Sequence, residues 1–305
     1  MTEDAVVKCK LLVRNREVLK NEFHWESTNM IPLCAYLFSQ QQTKVDAVRM
    51  KECKQLIKRN AGIFTKVKGD DIYPLASMLT LENNVDKALD KRIGIYQELC
   101  KQYKPSLWLT MVAFILAEQS CQLDQTIARA IELERKAQST IQVGEKERGI
   151  FLVLALSPKS DEQLINEFEA IYELLAESNF EEDAKKLLTV VLALGDGTPE
   201  GKVHNLEETN LELKENQLKI GNGIETAALG LAATSEDEIP VLMEQAVKVN
   251  EYLKGKKGFD SLQLSAHERL MYAIMLPTEK TTNVLGQKLV LAAMLCSVIK
   301  LAGLD

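Results

Sequence analysis

Apolar residues along the chain form short runs, each of which reaches a leucine, passes into a polar turn and restarts as a longer amphipathic segment. Two of these transitions read "LALSPKSDEQL" at residues 154–164 and "LALGDGTPEGK" at residues 192–202, and they lie 38 positions apart. The same transition occurs seven times. The marker leucines are Leu37, Leu79, Leu116, Leu154, Leu192, Leu231 and Leu276.

The steps between successive markers are 42, 37, 38, 38, 39 and 45 residues. A period that holds in the middle of a chain and loosens at both ends is typical of a tandem array with atypical terminal units. We therefore predict an all-α fold of tandem helical hairpins of about 38 residues, which form an α-solenoid-like or superhelical array. This unit is longer than the tetratricopeptide repeat of about 34 residues and shorter than the HEAT repeat of about 40–47 residues.

Local signals place the helices within these hairpins. A leading helix is predicted near residues 4–22, and the longer segments carry apolar residues at helical spacing. Ser160 stands three residues before Gln163, as in a capping box, and Thr198 before Pro199 marks another helix start. We expect one all-helical, repeat-like domain over residues 1–305, with a possible hinge near 219–225.

Composition supports a globular helical protein. Of 305 residues, 46% are hydrophobic and 27% charged, while aromatic residues make up only 6%. The acidic amino terminus shows no signal peptide, and six cysteines without a C-x-x-C pair favour reduced thiols, so we expect a cytoplasmic protein. The apolar run at 289–299 is too short for a membrane span and predicts a buried helix.

Charge is distributed unevenly. Residues 1–70 hold 13 Lys or Arg and 8 Asp or Glu, whereas residues 160–251 hold 6 and 21, a net charge of −15. An acidic surface of this size repels phosphate backbones and disfavours nucleic-acid binding. It favours a partner protein or peptide with a basic segment.

Three stretches carry a resemblance to a known family: "PLASMLTLENNVDKALDKRIGIYQELCKQYKPSLWLTMVAFILAE", "GIFLVLALSPKSDEQLINEFEAIYELLAESNF" and "FHWES". With their helical patterning and Y-x-x-L segments, they resemble an uncharacterised family of bacterial all-helical proteins of about this length. The likeness runs through most of the chain. It implies a bacterial, cytoplasmic, helical protein and brings no activity, cofactor or site residues.

Motifs for catalysis or metal binding are incomplete. The segment "HERLM" begins like a zinc-protease helix but has Met271 where the second histidine ligand is required. The segment "GDGTPEGKV" resembles a phosphate-binding loop, but Asp196 and Val203 replace residues that such a loop needs, so a turn between helices explains it. We predict no cofactor, no metal site and no catalytic residues.

The "FHWES" segment at residues 23–27 is the strongest candidate binding site. His24 and Trp25 could line a pocket with Glu26 as a base, or Trp25 could pack against the first hairpin while Glu26 or Ser27 begins the next helix. The sequence leaves both interpretations open.

Three hypotheses about function are compatible with the sequence. The first is a non-enzymatic interaction or scaffold module, in which a partner peptide lies along the concave side of the hairpin array. The second is an enzyme or small-molecule sensor with a site in the helical interior near "FHWES". The third is a homo-oligomeric building block that associates through the apolar helix 285–302, and the sequence leaves the oligomeric state open.

Overall fold

The computed structural model describes residues 1–25, 30–60, 62–64, 66–67, 69–119, 121–138, 148–260, 264–278 and 283–301. Within these ranges the prediction of an all-α fold is confirmed, since the chain forms α-helices and two short 3₁₀ turns but no strand. The helices are α1 (Glu3–Glu22), α2 (Met30–Gln40), α3 (Ala47–Arg59), α4 (Ile72–Thr80), α5 (Val85–Leu99), α6 (Leu107–Ala117), α7 (Leu123–Ala137), α8 (Ile150–Leu154), α9 (Asp161–Leu174), α10 (Glu182–Leu194), α11 (Pro199–Glu215), α12 (Ala227–Ala233), α13 (Ile239–Lys254), α14 (Ala266–Met275) and α15 (Val284–Leu301).

After α1 the helices alternate between a short and a longer one, from α2 and α3 to α14 and α15. The marker leucines lie in the short helices, apart from Leu276, which follows α14 directly. The short helices are buried on nearly all sides: α6 is buried from Leu109 to Ala117, and α12 along its whole length. The longer helices bury one stripe only, as the amphipathic pattern indicates.

The helix starts predicted within residues 154–164 and 192–202 both have side-chain caps, with only the Ser160 half of the predicted capping box formed at the first. The Ser160 hydroxyl accepts a hydrogen bond from the backbone N–H of Gln163 at the start of α9. The Thr198 hydroxyl accepts one from the N–H of Gly201 at the start of α11, whose first residue is Pro199. The residues between α10 and α11 therefore form a turn between helices, as predicted, and the Thr198 cap fixes where it ends.

Contacts divide the chain into two compact units. The first comprises Met1–Val6, Ala128–Val143 and Ile150–Leu291, and the second comprises Val7–Ile127, Gly144–Gly149 and Ala292–Asp305. In the first unit, α10 packs against α9 and α12, and α13 against α14. In the second unit, α3 packs against α4 and α5 against α6. The single domain and the stacked array of hairpins stay predictions.

The predicted hinge segment at 219–225 lies in the first unit and is attached to it at three points. Ile220 is buried, and the N–H of Glu181 donates a hydrogen bond to the carbonyl oxygen of Asn222 at 2.9 Å. The Nδ1 atom of His267 lies 2.9 Å from the carbonyl oxygen of Lys219 and donates to it. Whether residues 219–225 act as a hinge stays a prediction.

The ends of α10 and α12 approach each other at Gly195. A Cβ atom added to this residue would lie 2.6 Å from the Cβ atom of Thr234, well inside van der Waals contact. The backbone of Gly195 is extended, with φ −80° and ψ 162°, so any residue could adopt it. Close packing, and not backbone conformation, therefore requires glycine at this position.

We predict that Gly195→Ala lowers the free energy of unfolding by about 1–3 kcal/mol, because the added methyl group overpacks a buried contact. Gly94→Ala is the matched control, since Gly94 lies in α5 and an added Cβ atom would meet nothing within 4 Å. The control should raise stability by about 1 kcal/mol through helix propensity. Chemical denaturation measures both changes, and equal effects of the two substitutions would contradict the packing argument.

Candidate functional site

Residues 23–25 of the "FHWES" segment follow the end of α1, and Trp25 is fixed by a hydrogen bond and a ring contact. The Nε1 atom of Trp25 donates a hydrogen bond to the carbonyl oxygen of Leu19 at 2.9 Å, and the indole lies against the ring of Tyr73 with centroids 4.1 Å apart. His24 is exposed, and Glu26 lies outside the described residues. Of the three predicted binding residues, the structure thus shows Trp25 in an aromatic contact and His24 at the surface.

A lysine completes this aromatic cluster. The Nζ atom of Lys54 lies 3.8 Å from the centre of the Tyr73 ring and 2.5 Å from its hydroxyl oxygen. The Tyr73 hydroxyl in turn donates to the carbonyl oxygen of His24, and Phe23 meets the same ring edge-on at 5.6 Å. These contacts tie the end of α1 to α3 and α4. A ligand site at His24, Trp25 and Glu26 stays a prediction.

A buried ionic network lies in the first unit, beneath the turn between α10 and α11. The Lys159 ammonium contacts both carboxylate oxygens of Glu167 at 2.9 and 3.1 Å, and the Lys202 ammonium contacts one of them at 2.5 Å. Lys159 also donates to the carbonyl oxygens of Ala193 and Gly195 at 2.9 and 2.6 Å. Lys202 is 2% exposed and Glu167 is 8% exposed, so both charges are removed from water.

Two ammonium groups share one carboxylate in this network, and the carbonyl oxygens at the end of α10 supply further negative charge. Burial lowers the pKa of the Lys202 ammonium from its ordinary value of 10.5, and the hydrogen bond to Glu167 opposes that shift. Because the described donors and acceptors satisfy one another, the network links α9, α10 and α11. Its contacts are those of a structural site.

The exposed faces of α9 and α11 carry a dense set of carboxylates. The two helices contact each other in the first unit. Six of their exposed glutamates form no ion pair with any residue that the structure describes, and we call them together the acidic face. They are Glu162, Glu173 and Glu177 on α9 and its end, and Glu200, Glu207 and Glu215 on α11.

Two large apolar side chains are exposed on the same helices. Leu174 is 46% exposed at the end of α9, and Leu211 is 56% exposed in the last turns of α11. They are 37 residues apart in the chain, close to the spacing of the pattern itself. Exposed leucines amid carboxylates give this surface an apolar as well as an electrostatic component.

A cleft of about 360 Å³ lies beside this surface, between α11 and the start of α13. Three carboxylates and an amide line it, together with an isoleucine and a proline, which is a lining that suits a cationic side chain. No group of three or more His, Cys, Asp or Glu that could hold a metal ion occurs in the described part of the chain. The lining residues are Asn205, Glu208, Asp237, Glu238, Ile239 and Pro240.

The cysteines are free thiols in the structure. Burial raises the pKa of Cys34 to about 12 and that of Cys9 to about 11, so both stay protonated at neutral pH. A thiol is a weak nucleophile in that form. These two cysteines therefore act as small apolar residues in the core of the second unit.

The buried network is not evident in the sequence. Lys159 and Lys202 lie within the stretches 154–164 and 192–202, yet in the sequence they look like the polar residues of solvated turns. Glu167 lies on α9 among other glutamates, and nothing in its immediate neighbours distinguishes it. The signal that the sequence does contain is spacing: Glu167 lies 38 residues after Arg129 and 38 residues before Asn205, which are polar residues at the equivalent position of α7 and α11.

Comparisons with known proteins identify a family without a known activity. A family model described as "Protein of unknown function (DUF4003)" matches residues 15–302, so the chain belongs to that family. No curated protein and no solved structure matches the chain. The resemblance to an uncharacterised domain family is therefore confirmed. None of the described helices is both long and apolar enough to cross a membrane.

We predict that Glu167→Gln lowers the free energy of unfolding by about 3 kcal/mol, because it leaves two buried ammonium groups without a counter-charge. The matched control is Glu162→Gln on the exposed part of the same helix, which should change stability by less than about 0.5 kcal/mol. Urea denaturation monitored by circular dichroism measures both. A Glu167→Gln variant as stable as the control would show that the network is unimportant for folding.

The lowered pKa of Lys202 predicts a pH dependence of stability. Between the folded-state pKa and the ordinary value of 10.5, the unfolded chain binds a proton that the folded protein has released. The free energy of unfolding therefore increases as the pH rises from the folded-state pKa towards 10.5. The same contribution of Lys202 is lost as the pH falls back through the folded-state pKa. Relative to Lys202→Met, the wild-type protein should become more stable towards pH 10.5, and a flat difference would contradict the shift.

Proposed function

We propose that this member of a family of unknown function is a non-enzymatic interaction module that binds a basic segment of a partner protein. The acidic face of α9 and α11 is the proposed binding surface, with the adjacent cleft as a subsite for a lysine or arginine. The observation that carries the proposal is the set of exposed glutamates that form no ion pair within the described part of the chain. Such surface carboxylates attract basic partners at long range and disfavour acidic ones.

The distribution of cations in the first unit supports this choice. Arg129 pairs with Asp161 at 2.7 Å, and Lys159 and Lys202 pair with Glu167, so these basic residues are used inside the fold. Because the buried Lys202 is paired with Glu167, the net charge of −15 over residues 160–251 lies mainly on the exposed faces. An anionic partner such as nucleic acid would be repelled by the same surface.

The exposed leucines indicate the form of the partner segment. Rim charges mainly raise the association rate, while apolar contacts slow dissociation. A helix with one basic and one apolar side could place the apolar residues on Leu174 and Leu211 and its cations among the carboxylates. We therefore propose a basic amphipathic segment as the ligand.

Two further parts of the proposal concern the scaffold and its setting. We propose that the hairpins stack as tandem repeats, so that neighbouring long helices present their exposed faces to the partner together. We also propose that the protein acts in the bacterial cytoplasm. Support for a reducing compartment comes from the free cysteines.

The test measures binding of a fluorescent amphipathic peptide rich in lysine and leucine, by anisotropy at low and at physiological salt. We predict that the combined change Glu173→Gln, Glu177→Gln and Glu207→Gln weakens binding about tenfold, since each exposed charge contributes up to about 1 kcal/mol. Binding to the wild type should also weaken as salt is added, because salt screens exposed charges.

The matched control removes the same number of charges elsewhere, by Glu3→Gln, Glu17→Gln and Glu52→Gln, at positions that are likewise exposed. It should leave affinity within about twofold of the wild type, because these glutamates lie on α1 and α3 and are not part of the acidic face. Equal losses in the two triple variants would mean that only net charge matters. No binding by the wild type would overturn the proposal.

A further inference from the structure

The short helices all require hydrogen-bond donors at their carboxyl ends. An α-helix leaves its last carbonyl groups without partners in the helix and carries partial negative charge there. Basic residues in the last turn often compensate. In this chain α2, α4, α6, α8, α10 and α12 have no basic residue in the last turn.

At the ends of several short helices the missing donor comes from the long helix that precedes it. Lys91 on α5 donates to the carbonyl oxygen of Ala117, the last residue of α6. Arg129 on α7 donates to the carbonyl oxygens of Ala155 and Ser157, just after α8, at 2.9 and 2.7 Å. In each case a side chain of a long helix caps the short helix that follows it.

The pattern continues with α11 and α12. The side-chain amide of Asn205 on α11 donates to the carbonyl oxygen of Ala233, the last residue of α12, at 3.1 Å. Lys91, Arg129 and Asn205 are each the seventh residue of their helix. The same position therefore contributes a donor in α5, α7 and α11.

The corresponding position of α9 is Glu167, and this explains the buried network. The four positions 91, 129, 167 and 205 follow one another at steps of 38 residues. A carboxylate beside helix-terminal carbonyl groups would repel them, so Glu167 cannot cap α10 itself. Instead it holds Lys159, whose ammonium donates to the carbonyl oxygens of Ala193 and Gly195.

Two hydrogen bonds nearer the amino terminus are of the same kind, but their donors are not the seventh residues of their helices. The amide of Asn15 on α1 donates to the carbonyl oxygen of Thr43 after α2 at 2.9 Å. Arg49 on α3 donates to the carbonyl oxygen of Glu82 after α4. Six successive long helices, from α1 to α11, thus supply a polar side chain, directly or through Lys159, to the end of the short helix that follows.

We infer that the seventh residue of α5, α7, α9 and α11 couples each of these long helices to the short helix that follows it: it caps the end of the short helix and fixes the register of the two helices. At the end of α10 the cap is assembled from Glu167 and Lys159 in place of a single cation. Each link joins a long helix to the next short helix, so loss of one link should loosen the end of that short helix specifically. This inference is independent of the proposed binding function.

The first test compares Arg129→Met with Arg135→Met by native-state hydrogen exchange and mass spectrometry. Both residues lie on α7, but Arg135 is 68% exposed and pairs with Glu132 on its own helix. Arg129→Met should speed exchange of the amides at 155–157 about tenfold or more relative to the control. Equal exchange at 155–157 in the two variants would overturn the inference.

A second set uses Lys91, which is exposed, so that its substitution leaves no cavity in the core. Lys91→Arg retains a donor and should keep wild-type exchange at the end of α6, whereas Lys91→Met should speed it. The control is Lys101→Met, which removes an exposed ion pair with Glu98. Identical exchange in the Arg and Met variants would contradict a capping role.

The third test asks whether a cation at position 167 can cap the end of α10 by itself. In a background with Lys159→Met and Lys202→Met, Glu167→Arg places a cation where α7 has one, and Glu167→Met places none. The arginine variant should melt several degrees above the methionine variant and protect the amide of Gly195 more strongly. If the two variants melt together, position 167 is not equivalent to position 129, and the inference fails.

Discussion

The structure depends on the burial of its short helices. Helices such as α6 and α12 are covered on nearly every side, which contributes a large part of the apolar surface removed from water. A helix buried in this way has no exposed side on which to carry its own charged residues. Its terminal carbonyl groups must then be satisfied from outside, because an unpaired buried polar group costs about 1–3 kcal/mol. Apolar burial of the short helices and polar links to their ends from other helices are therefore two consequences of one requirement.

This requirement also determines where charge is found in the first unit. Arg129 and Lys159 reach carbonyl groups at helix ends, and Lys202 lies beside them with Glu167. These three cations are drawn into the structure, whereas Lys214 and most glutamates of α9 and α11 stay at the surface. The acidic face follows from how the fold satisfies its helix ends. A binding surface for basic segments would then need no dedicated loop or cofactor.

The helices could be predicted from the sequence because burial on all sides and burial on one side leave different local patterns. The contacts of the candidate sites could not, because their causes are distant in the chain. A lysine in a turn looks the same whether its ammonium is solvated or held by a carboxylate 35 residues before it, as Glu167 holds Lys202. In "FHWES" the sequence left both a pocket and packing of Trp25 open, and the ring that contacts Trp25 belongs to Tyr73, 48 residues away. Long-range contacts of this kind decide whether a polar or aromatic residue is used inside the fold.

The spacing of the links follows the spacing of the marker leucines. The marker leucines Leu37 and Leu79 are 42 residues apart, and the linking residues Arg49 and Lys91 are also 42 apart. Additional residues there lengthen the connection between α3 and α4 and shift both features together. Both shift because both pairs of residues span that connection. The lengthening leaves α3 packed against α4 and α5 packed against α6, so each long helix stays within reach of the end of the short helix that it caps.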